Sequence, residues 1–235
     1  METFNAAIDK HFNEIKTINN NANTQVSLLI NKNNNKKVVR IKYTGKPDIY
    51  KILLNVKHEN LPIIYDVYVD GNQVTVIEEF IDGITLDSML QSQLYTEKAT
   101  INTIIQLCNV LQVLHNMNIV HRDIKPENIM ISSNGVLKLI DFHSSRINAP
   151  TKDKDTQVLG TVGYAAPEQF GFAQSDNKTD IYSIGILMNV MLTGEHPAKR
   201  YYEGKLKSII EKCIRIDPNM RYNNIESLLE RLNKG

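Results

Sequence analysis

Eight consecutive residues, His121-Arg122-Asp123-Ile124-Lys125-Pro126-Glu127-Asn128, concentrate the side chains most suited to chemistry. Asp123 is a carboxylate able to take a proton from a hydroxyl, and Lys125, two residues on, is a cation able to steady an anion. Asn128 supplies an amide oxygen of the kind hard divalent metals take. A base candidate, a cation and a metal-type amide on one short loop suit proton transfer beside a charged group.

These residues need a scaffold, and the period of the apolar residues supplies one. Phe12, Ile15 and Ile18, the polar run Asn19 to Thr24, then Val26 to Ile30 and Val38 to Lys42 read as strand, loop, strand, turn, strand. A short helix from about Pro47 to Val56 and strands near Ile63 to Val69 and Gln73 to Phe80, turning at Asp70-Gly71, complete a small β-rich lobe. From Leu86 the period becomes helical. Ile101, Ile104, Ile105, Cys108, Leu111 and Leu114 share a face of a long helix leading into the eight-residue loop. Short strands at Ile129 to Ile131 and Val136 to Ile140 flank Asn134-Gly135; Ile181 to Leu192 is a buried helix, and Leu206 to Ile214 and Ile225 to Leu232 are amphipathic.

The order of elements and the eight-residue loop resemble the protein kinases, whose catalytic loop reads H-R-D with an Asn a few residues later. The resemblance runs from about Phe12 to Leu232 and implies an α+β, two-lobed fold: an N-lobe over about residues 1–80, a hinge over about 79–84 and a C-lobe over about 85–235. It implies that Asp123 is the base, that Lys125 and Lys42 (in Val39-Arg40-Ile41-Lys42) contact phosphates, and that Asn128 and Asp141 hold Mg2+ or Mn2+ with ATP as cofactor. Glu79 and Ile81 of the hinge join Lys42, Asn128 and Asp141 as nucleotide-binding candidates. Ala166-Pro167-Glu168 matches A-P-E, with Glu168 expected to pair with Arg221, and Asp180 is expected to anchor the catalytic loop. Leu53, Ile64, His121 and Phe142 match the family's apolar spine. Lys125 and Thr161 resemble the serine/threonine branch, and Thr151 and Thr156 are candidate phosphorylation sites that Arg122 could pair.

Several residues depart from the family pattern. His143 stands at the Gly of D-F-G. With Val26 set at the valine that follows G-x-G-x-x-G, Asn19, Asn21 and Thr24 occupy the glycine positions. Ile49 stands at the usual helix glutamate beside Asp48, Glu78 at the gatekeeper, and Arg40 at the small residue over the base. Arg40, Lys42 and Glu78 are expected to meet on one face, with Glu78 replacing the missing glutamate; alternatively Glu78 pairs with Arg40 alone and Lys42 goes to Asp48 or phosphate. The stretch from Gly194 to Leu206 leaves little room for a helix that many kinases use in docking.

At 235 residues the chain suits one large domain or two lobes, and a net charge of +1 favours neither nucleic acid nor acidic membrane as partner. Cys108 and Cys213 suit unpaired buried thiols in a reducing compartment, the histidines lack zinc-ligand spacing, and no apolar run spans a bilayer, so the expectation is a cytoplasmic enzyme acting on protein substrates, its oligomeric state open. Two other readings stay open: a kinase-like pseudoenzyme serving as a binding or regulatory module, and a small-molecule kinase.

Overall fold

The computed structural model describes residues 4–21, 23–148, 161, 163–170 and 175–234, side chains from residue 8 onward. The chain divides into two compact units, Met1–Asp82 and Gly83–Gly235. The α+β character follows from what each contains.

The first unit opens with α1 (Phe4–His11), which runs directly into β1 (Phe12–Asn20), followed by β2 (Thr24–Asn31), β3 (Lys37–Thr44), α2 (Asp48–Leu53), β4 (Ile64–Asp70) and β5 (Gln73–Glu79). The strands form one antiparallel sheet in the order β1-β2-β3-β5-β4. Val38, Ile41, Tyr43, Val74, Val76 and Ile77 are buried, as expected of apolar strand residues at the centre of a covered sheet. β1 is an edge strand, solvent-exposed beyond Phe12, which suits its asparagines and lysine. The strands lie where their period places them, whereas α2 is only six residues long and α1 is an element the sequence pattern missed.

The register corrects one expectation. Directly opposed residues of an antiparallel pair point to the same face. Arg40 lies opposite Ser27 and Ile77, Lys42 opposite Gln25 and Thr75, while Val26 faces Ile41 and Glu78 faces Val39. Val26 and Glu78 therefore share the face opposite to Arg40 and Lys42. The expected meeting of Arg40, Lys42 and Glu78 does not form. Arg40 instead donates from Nη1 to Asp9 Oδ1 at 2.8 Å and from Nη2 to Glu14 Oε2 at 2.9 Å. Lys42 makes no ion pair with any described residue.

The second unit contains β6 (Gly83–Thr85), α3 (Leu86–Leu90), α4 (Glu97–Asn116), β7 (Ile119–Val120), β8 (Ile129–Ser132), β9 (Leu137–Leu139), β10 (Arg146–Ile147), α5 (Asn177–Thr193), α6 (Lys207–Cys213) and α7 (Ile225–Asn233). Thr96 caps α4 by accepting from Ala99 N, and Leu107 and Val110 join Ile104, Cys108, Leu111 and Leu114 on its buried side. Ile101 and Ile105 are only half-buried, so the packed face is rotated from the one the sequence suggested. α5 begins in a capping box at Asp176, ends at Gly194 with φ 77°, and is buried nearly all round. A Cβ on Gly185 would come within 2.6 Å of Cys213 Cβ and Ile214 Cγ2, so this glycine is what lets α5 and α6 approach. Cys108 and Cys213 are buried free thiols, and burial pushes Cys213 up to about 12. Among the described residues no helix is long and apolar enough to cross a membrane.

Candidate active site

The catalytic-loop residues are held by hydrogen bonds that start from a buried carboxylate. Asp180, on α5 and fully buried, accepts from His121 N at 2.9 Å, from Arg122 N at 2.8 Å and pairs with His115 Nε2 at 2.8 Å. Arg122 has φ 69°, a left-handed conformation that costs an ordinary residue about 1–2 kcal/mol. Asp180 holds both amides at that bend, which offsets the strain. Burial pushes its carboxyl up, yet the His115 bond and charge, with His121 and the Arg122 amide, outweigh burial and hold it below the ordinary value. A depressed carboxyl contributes stability above the unfolded value, roughly 4, and loses it as pH falls through the folded value. Asp180→Asn is therefore expected to lower stability at pH 7 and flatten its fall between pH 5 and 3, read by urea unfolding at each pH. An unchanged acid dependence would contradict this role.

After the bend, Pro126 opens a short 3-10 turn, Pro126–Asn128, and its fixed φ suits that first position. The turn brings Asn128 back to Asp123: Asn128 Nδ2 donates to Asp123 O at 2.9 Å and to Oδ2 at 2.8 Å. Lys125 Nζ lies 3.0 Å from Asp123 Oδ2 and donates to Thr161 Oγ1 at 2.7 Å, and Thr161 Oγ1 donates to Asp123 Oδ1 at 2.8 Å. Asp123 is only 9% exposed, so its carboxylate is fixed by three side chains in a partly dry site. Such an acceptor can take a proton from an incoming hydroxyl, while the ammonium of Lys125 offsets negative charge developing beside it.

β8 and β9 pair antiparallel, and Ile140 N donates to Asn128 O at 2.9 Å, which ties the start of the Asp141 segment to the end of the loop. Asp141 has φ 65°. Its Oδ1 accepts from His143 N at 3.2 Å and pairs with His143 Nδ1. Burial alone would raise this carboxyl, but His143 holds it at about 2. With Nδ2 spent on Asp123, Asn128 offers its amide oxygen, and Asp141 offers Oδ2. Two hard oxygens, one charged, fit a divalent ion that takes its other ligands from water and phosphate, as Mg2+ does. His143 keeps a negative φ, so the residue at the family's glycine position is not strained there.

His121 is buried and packs edge-on to Phe142, ring centroids 5.1 Å apart, and burial depresses its pKa. Leu53 and Ile64, the other two spine residues, are buried in the first unit, where α2 packs on β4. The Glu168 to Arg221 pair forms, Nη1 to Oε1 at 2.7 Å and Nη2 to Oε2 at 2.9 Å. Of the other nucleotide candidates, Lys42 is half-buried on β3, its pKa lowered by burial and by Arg40. Glu79 accepts from Ile63 N through Oε2 at 3.0 Å, and Ile81 is buried. Thr151 and Thr156 lie outside the described residues. Sequence reasoning missed Gln169, whose Nε2 donates to Arg122 O at 2.8 Å and whose Oε1 accepts from Ala166 N at 2.9 Å. It also missed His115 on Asp180; neither belongs to a spaced motif that would have marked it.

A protein kinase domain matches residues 12–232. The chain belongs to the protein kinase family. It is similar to a probable serine/threonine-protein kinase of Clostridium acetobutylicum, 31% identical over 205 residues, covering 75% of this chain and 31% of the relative. It is also similar to the serine/threonine-protein kinase PknB of Mycobacterium tuberculosis, 34% identical over 176 residues, covering 68% of this chain and 28% of that one. A third relative, the striated muscle preferentially expressed protein kinase of Danio rerio, is 34% identical over 150 residues, covering 63% of this chain and 5% of that protein. The chain thus spans about a third or less of the length of these relatives.

Proposed function

We propose that this kinase-family chain transfers the γ-phosphate of ATP to serine or threonine hydroxyls of protein substrates, with residues 1–80 as nucleotide-binding lobe, about 79–84 as hinge and 85–235 as catalytic lobe. The observation that carries the reading is the closed cluster of Asp123, Lys125 and Thr161, in which every polar contact is 3.0 Å or shorter. Asp123 accepts the proton of the attacking hydroxyl, and Lys125 lies between it and Thr161, placed to meet the oxygens of the transferred group. Asn128 and Asp141 hold Mg2+ or Mn2+, which supplies charge neutralisation on the phosphates. Lys42, Glu79 and Ile81 contact the nucleotide. Both the proposed cytoplasmic location and the proposed protein substrates follow from this reading.

Incubation with ATP, Mg2+ and matched Ser, Thr and Tyr peptides, followed by phosphoamino-acid determination, tests it. Phosphoserine or phosphothreonine is the expected product, and phosphotyrosine alone would overturn the substrate class. A second reading, a pseudoenzyme acting as a binding module, is favoured by one observation: Arg40 is tied to Asp9 and Glu14 where a small residue usually stands. Nucleotide binding without transfer to any peptide or to the chain itself would select it.

A further inference from the structure

Lys42 and Arg40 lie two residues apart on β3 and so face the same way. Their cross-strand neighbours on that face are Ser27, Gln25, Ile77 and Thr75, continued by Val38 opposite Leu29. The chain covers part of this face with its own first helix. Ile8 of α1 and Phe12 at the start of β1 pack against Leu29, Val38 and Ile77, and the carboxylates of Asp9 and Glu14 close on the two terminal nitrogens of Arg40. The C-terminal end of α1 is held by Lys32 as well: Nζ donates to the carbonyls of Asp9 at 2.7 Å and Lys10 at 2.9 Å, and Lys32 N donates to His11 O at 2.9 Å. Asp9 and Glu14 also act on Lys42, raising its pKa against burial and Arg40, which lower it.

We propose that α1 is an internal plug that competes with nucleotide for this face of the sheet, with Arg40 as its latch. The proposal rests on the assignment of Lys42 to the nucleotide. Arg40 is 7% exposed at its side chain, so its charge needs a partner, and in the closed state two carboxylates provide one. A nucleotide brings anionic phosphates to the same pair of cations, so as α1 leaves, Arg40 can exchange Asp9 for a phosphate, while Glu14 stays on β1. Asp9 is 66% exposed and Glu14 36%, which keeps the latch weak enough to open. Nucleotide then binds only the fraction of molecules with α1 released, and its apparent affinity falls by that fraction.

The test compares the dissociation constant of ADP with Mg2+ for the wild type and for Ile8→Asp combined with Asp9→Asn, by titration calorimetry. Hydrogen exchange of the α1 amides in the wild type, with and without nucleotide, needs no variant to fold. The plug predicts that the double variant binds about tenfold or more tightly than wild type, and that saturating nucleotide speeds exchange in α1. Measurable and equal affinities, or α1 exchange unchanged at saturation, overturn the plug and leave the nucleotide assignment standing. Absence of binding in both proteins overturns the plug and that assignment together.

Discussion

Arg221→Ala is expected to lower the free energy of unfolding by about 3–5 kcal/mol, the cost of leaving a buried carboxylate without its cation. The pair has little access to water: the Arg221 side chain is 0% exposed and that of Glu168 4%. Arg221 also donates to the carbonyls of Arg215, Ile216 and Lys178, and Thr179 Oγ1 donates to Glu168 Oε1 at 2.9 Å. Losing the guanidinium therefore unties the start of α5 from the turn that precedes Arg221, in addition to exposing a bare charge. Urea unfolding followed by circular dichroism measures the loss. A change below about 1 kcal/mol, the range of exposed ion pairs, would show that the pair is not buried as described.

Asp123→Ala is expected to lower kcat by about 10²–10⁴-fold, the range a positioned general base contributes. Asp123 acts on the attacking hydroxyl and is itself assigned to neither nucleotide nor metal, so KM for ATP should change far less than kcat. The α5 anchors on His121 and Arg122 remain in the variant and should preserve the loop. Steady-state kinetics with a retained circular dichroism spectrum would show that pattern. A rise in KM at constant kcat would assign Asp123 to binding instead.

The catalytic loop, the Asp180 anchor and the Glu168 to Arg221 pair were legible because each requires a particular residue type at a fixed place in the chain. β2 to β5 and α5 were legible because a half-buried strand and a buried helix leave clear apolar periods. What stayed hidden depends on tertiary placement. Period two says which residues of one strand share a face, but only the register between β3 and β5 says that Glu78 shares a face with Val39 and not with Arg40. α1 is only eight residues long, too short to show an apolar period, and among its described side chains Ile8 packs on the sheet. The partners β7 and β10 are two residues each, below the length at which alternation can be read. His143 was visible as a departure from the family, but its bond to Asp141 was not.

The most direct test of the central claim is the incorporation of γ-phosphate from ATP with Mg2+ into the chain itself and into a generic basic protein substrate, wild type beside Asp123→Ala. The account predicts stable phosphate on serine or threonine in the wild type and its near-complete loss in the variant. Equal incorporation in both proteins would contradict the assignment of Asp123 as the base.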